Sequence, residues 1–124
     1  MKKIIIAFSF LSLLFSIDVT SGGGLSKNQQ GIDIIHYDIR LQVDAKRKMI
    51  SGYTDIKIKV IDEIRFIELD LLKDYFISKV KIDGVTTPFK HRSNKIFVKA
   101  QDIELNETIV VTVDYKGKPP IAEN

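Results

Sequence analysis

The chain has 124 residues, 44% of them hydrophobic and 28% charged, with no cysteine and a formal net charge of +3. Length and balance fit one globular domain and exclude a chain disordered throughout, a disulfide scaffold and a lipoprotein attached through cysteine. The weak positive charge gives no case for nucleic acid as a partner.

The first element is "MKKIIIAFSFLSLLFS", in which Lys2 and Lys3 precede an apolar run from Ile4 to Phe15. This is the pattern of a helical secretory signal peptide over residues 1–21, with Val19 and Ser21 placed for cleavage after Ser21. The run falls short of the roughly 20 apolar residues needed to cross a bilayer, so no stable membrane span is expected after cleavage. An exported protein, periplasmic or extracellular, is the expectation. Without residues 1–21 the chain keeps 17 basic and 15 acidic side chains, a net charge of +2. "GGGLSKNQQG", residues 22–31, reads as a flexible Gly-rich leader, and the domain is expected over 32–124.

From Tyr37 the residues alternate: Tyr37, Ile39, Leu41 and Val43 on one face, His36, Asp38, Arg40, Gln42 and Asp44 on the other. A period of two marks a half-buried strand. After the turn "DAKRK", a second run sets Ile50, Ile56, Ile58 and Val60 against Tyr53, Asp55, Lys57 and Lys59, forming a hairpin with the first. Gly52 within it predicts a bulge or a close backbone approach. Lys46, Arg47 and Lys48 form the only basic run and fall in the turn, which makes them a solvated loop.

"IRFIELDLL" supplies a third strand, with Ile67, Leu69 and Leu71 on one face and Phe66, Glu68 and Asp70 on the other. Apolar groups on both faces predict a place inside a sheet and under another layer. "KDYF" turns the chain, "ISKVKI" leads into the Asp83-Gly84 turn, and "TPFKH", "KIFVKA" and "TIVVTVDY" follow as short strands. Seven strands with no helical period after the signal predict an all-β fold, an antiparallel sandwich.

Chemistry is sparse. His36 and His91 are the only histidines, and Arg40 beside His36 and Asp38 would repel a cation, so no metal site is expected; His91 reads as an exposed loop side chain. Glu68 and Asp70, two apart on one strand face, place their carboxylates roughly 7 Å apart, a spacing used by inverting glycosidases. Ordinary charge pairing with Lys57, Lys59, Lys79 or Lys81 on neighbouring strands accounts for the same acids. A nucleophile elbow, a phosphate loop and a His-Glu-x-x-His helix are all absent from the sequence. The Asn106-Glu107-Thr108 sequon is a pattern common by chance.

In order, "HYDIRL", Gly52, "FIELDL", "VKIDG" and "TVDYKGKPP" resemble the start of the N-terminal domain of zinc aminopeptidases of the aminopeptidase N type. The elements that match are Tyr37 and Leu41, Gly52, Leu69 and Asp70, Val80 and Gly84, and Val113, Tyr115, Gly117 and Pro119. The resemblance implies a saddle-like β domain that packs on a catalytic domain of the same polypeptide and walls a cavity for peptide substrates. It also implies that zinc belongs to that other domain: this chain lacks His-Glu-x-x-His, Gly-x-Met-Glu-Asn and the Asp-Glu-Pro segment that closes the N-terminal domain. The expectation is therefore a partial, truncated domain with no catalytic, cofactor-binding or metal-binding residue of its own. The reading from another class is a stand-alone secreted sandwich binding carbohydrate, peptide or a surface partner through Tyr53 and Tyr75.

Overall fold

The computed structural model describes residues 25–120. The expected signal peptide, its cleavage point, residues 22–24 and the last four residues lie outside them. The chain begins with a helical turn, α1 (Lys27–Gln30), and continues with eight strands: β1 (Ile32–Asp44), β2 (Met49–Val60), β3 (Phe66–Asp70), β4 (Phe76–Ile82), β5 (Val85–Thr86), β6 (Phe89–Arg92), β7 (Lys95–Lys99) and β8 (Thr108–Gly117). A five-stranded antiparallel sheet runs β1-β2-β8-β4-β5, and a three-stranded one runs β3-β7-β6. The expected seven strands are all present, and the two-residue β5 is the addition.

Between the sheets lies one apolar core. Ile56, Ile58, Val80, Val111 and Val113 of the larger sheet are fully buried, as are Ile67, Ile96 and Val98 of the smaller one. Each side chain comes from the inward parity of its strand, which is why the alternating pattern was readable. Two bulges shift that parity. The β1–β2 register slips between Ile34 and His36, so Ile32 and Ile34 point inward ahead of Tyr37 and Ile39, while Ile35 is left half exposed. The β4–β8 register slips between Ile77 and Lys79, which lets both Ile77 and Val80 reach the core.

At Gly52 the pairing with Leu41 continues unbroken, so the alternative of close approach is the one realised. A Cβ there would stand 2.0 Å from the Arg40 carbonyl oxygen, and φ is +154°. Asp83 and Gly84, at φ 49° and 82°, close the β4–β5 hairpin. Ser93 and Asn94, at φ 52° and 62°, close β6–β7 in the same left-handed geometry.

Two expectations need correction. β3 forms an edge of the smaller sheet instead of lying inside one. Its second face is nevertheless covered, because α1 packs on it. That covering element comes from the stretch read as a flexible leader: Ser26 caps α1, its hydroxyl accepting from the Gln29 N–H while the Gln29 side chain accepts from the Ser26 N–H, each at 3.2 Å. This reciprocal pair satisfies two donors that a helix start otherwise leaves open.

Candidate functional site

Among the described residues the densest polar constellation lies where α1 meets β3. Glu68 projects from the outward face of β3 and is only 5% exposed. One carboxylate oxygen accepts from the Ser26 hydroxyl at 2.6 Å and from Asn28 Nδ2 at 3.4 Å. The other accepts from Lys95 Nζ of β7 at 2.7 Å. Next along the strand, Asp70 accepts from Gln29 Nε2 at 3.3 Å. Gln29 is itself buried and thus joins the cap of α1 to the edge of the smaller sheet.

The environments drive the two acids in opposite directions. Burial works to raise the Glu68 pKa, but hydrogen bonds from Lys95, Ser26 and Asn28 and the Lys95 charge outweigh it and hold the carboxyl below its ordinary range. Burial dominates at Asp70 and raises it, opposed by Lys95 and Gln29 and reinforced by the Glu68 charge. Lys95 is held above its usual value, chiefly by the hydrogen bond to Glu68. Nearby, burial with a contribution from Asp70 pushes Tyr37 up to about 12.

Such a split between two carboxyls can mark an acid–base pair. Here the geometry assigns it otherwise: Glu68 has both oxygens engaged by protein groups and is closed off beneath α1. A general acid or base must reach its substrate proton within about 3 Å or through one water. The arrangement is a clasp that fastens residues 26–31 to the second sheet.

The remaining sequence candidates fall apart in space. Lys57 and Lys59, and Lys79 and Lys81, lie in the other sheet, so the expected partners of Glu68 are replaced by Lys95. His36 and Asp38 stay on the exposed face of β1, where Arg40 pairs with Asp38 at 3.5 Å. His91 is on β6, not in a loop, and its Nε2 lies 2.9 Å from the Leu71 carbonyl oxygen. Tyr53 is partly exposed, whereas Tyr75 is 2% exposed and stacks edge-on against Tyr115 at 6.3 Å. As a binding platform Tyr75 is therefore lost. Lys46, Arg47 and Lys48 occupy the exposed β1–β2 turn, with Asp44 accepting from the Lys46 and Arg47 N–H groups.

Among the described residues no three His, Cys, Asp or Glu side chains come together as a metal-holding group, and the two histidines stand on different sheets. Also among the described residues, no helix is long and apolar enough to cross a membrane.

Fold and site together define a class first: a two-sheet β domain whose main polar cluster serves its own architecture. Solved structures give that class a context. The chain superposes on the M1 zinc metallopeptidase of Deinococcus radiodurans, in a form bound to a Tyr-Ser-Ala substrate, with a TM-score of 0.67 and 24% identity. The match covers 77% of this chain and 22% of that one. Against leukotriene A4 hydrolase from Saccharomyces cerevisiae the TM-score is 0.61 at 18% identity, covering 88% of this chain and 18% of that one. No family model and no curated protein matches the sequence. The shared property is the fold, and the chain spans about a fifth of the length of these enzymes.

Proposed function

We propose that the chain acts as the non-catalytic N-terminal β domain of an exported zinc-dependent aminopeptidase, supporting and walling the substrate cavity of a catalytic domain. The observation that carries this reading is the superposition on the M1 zinc metallopeptidase fold over 77% of the chain. The ordered motifs around Tyr37, Gly52, Leu69, Val80 and Tyr115 support it independently. In this reading the peptide substrate and the zinc belong to the catalytic domain, where the metal activates water and polarises the scissile carbonyl. Glu68 and Asp70, the only paired carboxylates singled out by the sequence, serve the clasp.

The test has two arms. Reading the genomic sequence in frame beyond the codon for Asn124 should reveal Gly-x-Met-Glu-Asn and His-Glu-x-x-His. The purified protein, supplied with zinc, should hydrolyse no aminoacyl anilide. Turnover by this chain alone would overturn the scaffold role, and a coding region without either motif would overturn the aminopeptidase assignment.

A further inference from the structure

The strand β6 lies at a free edge. Its one neighbour is β7, and among the described residues no backbone group bonds to its other side. The two-residue turn at Ser93-Asn94 fixes which groups that edge offers. In such a hairpin the pair flanking the turn exchanges hydrogen bonds, so Arg92–Lys95 and Lys90–Phe97 are the bonded pairs. The N–H and C=O groups of Phe89 and His91 therefore point away from β7, toward open space.

Both faces of this edge carry a recognition pattern. On the outer face Lys90 and Arg92 are exposed and enter no ion pair among the described residues, and the Arg92 guanidinium rests 5.2 Å from the centre of the Phe97 ring. That stack holds the cation against the sheet. On the inner side a cleft of about 390 Å³ opens beside β6, lined by Tyr75, Phe76, Ile77, Phe89 and His91. Phe76 is 59% exposed at its mouth. Lys73 and Asp74, which also line it, offset each other in charge.

We propose that β6 receives an extended segment of another protein as an added strand, one that alternates acidic and apolar residues. Main-chain bonds would form to Phe89 and His91. Acidic side chains of the guest would stand beside Lys90 and Arg92, and apolar ones would enter the cleft over Phe76 and Ile77. A strand's period of two supplies this alternation without further adjustment. A second copy of the chain is a poor guest, because pairing β6 with itself would set Lys90 and Arg92 against their own kind.

The test uses a capped peptide of about seven residues alternating valine and glutamate, a strand long enough to span the edge. A valine–lysine peptide of the same length is the control. Hydrogen exchange followed by NMR should show the amides of Phe89 and His91 exchanging freely in the protein alone and becoming protected when the valine–glutamate peptide is added. The amides of Lys90 and Arg92 should be protected throughout. The double variant K90E/R92E changes exposed side chains only; it should weaken that peptide by about tenfold or more and favour the lysine peptide instead. Absence of binding, binding without new protection at Phe89 and His91, or equal binding of the two peptides would each overturn the proposal. The exchange measurement on the unsubstituted protein decides the matter even if the variant fails to fold.

Discussion

On one side of the molecule α1 covers the outward face of β3, and its cap residues reach Glu68 and Asp70. On the other side no strand pairs with the outer edge of β6 among the described residues, and Phe76 stands exposed at an open cleft beside it. The closed side is held by polar groups whose partners are all within the chain. The open side mixes apolar and charged groups, with Lys116 Nζ 5.4 Å from the centre of the Phe76 ring, and among the described residues the buried Tyr75 hydroxyl has no hydrogen-bond partner. The two sides show that the same small sheet can have one border closed by directional bonds from within the chain and the other left unpaired.

The largest expected effect lies on the open side. Gly117 sits where a Cβ would come within 2.7 Å of Tyr75 Cδ1 and 3.2 Å of its Cα, so neither ring nor backbone can withdraw freely. Gly117→Val should cost about 3 kcal/mol in urea unfolding, the upper end for overpacking a tight core. On the closed side, Glu68→Ala should cost about 1.5 kcal/mol, since Lys95 is 35% exposed and recovers solvation that a buried cation could not. Its specific signature is loss of amide protection in residues 26–31 with little change in β8, measured by hydrogen exchange.

A gain is expected from Tyr75→Phe. Removing a buried hydroxyl that has no partner should raise stability by about 1 kcal/mol, seen as a higher urea midpoint at unchanged slope. The smallest effect concerns pH. The folded Glu68 pKa lies below its usual 4.5, so its contribution is complete above that value and disappears as pH falls through the folded pKa. Asp70, raised above its usual 3.8, has the opposite sign and gains stability over part of the same acid range. The stability difference between the wild-type protein and Glu68→Gln should therefore shrink on acidification, read from urea midpoints taken in steps from neutral to acidic pH. A difference independent of pH would remove Glu68 ionisation from the clasp.

Strand faces were legible because burial imposes a period of two, and Tyr37, Ile39, Leu41 and Val43 all point inward as that period requires. The bulges at Ile35 and Ser78 were not, since one extra residue in a ladder leaves no mark in residue type. Gly52 could be placed as a close approach or a bulge but not decided between them, because the Arg40 carbonyl that excludes a side chain comes from another strand. The clasp depends on contacts 40 to 42 residues apart in sequence, beyond any local pattern. One local sign was present: Ser26 and Gln29 have the spacing of a capping box, overshadowed by the preceding glycines. Tyr75 lies in the "KDYF" turn, where a tyrosine can be a binding platform or a rim residue of the core, while Gly117, far along the chain, makes the space that buries it.

The bulge at Ile35 has a bearing on solubility. β1 runs for 13 residues at the border of its sheet, with no strand paired to its other side among the described residues, long enough to template a ladder from one molecule to the next. A register slip near its start and charged or polar side chains at Asp33, His36, Asp38, Arg40, Gln42 and Asp44 break the flat, regular edge that such stacking needs. The residue that spoils the ladder inside the molecule thus also spoils it between molecules.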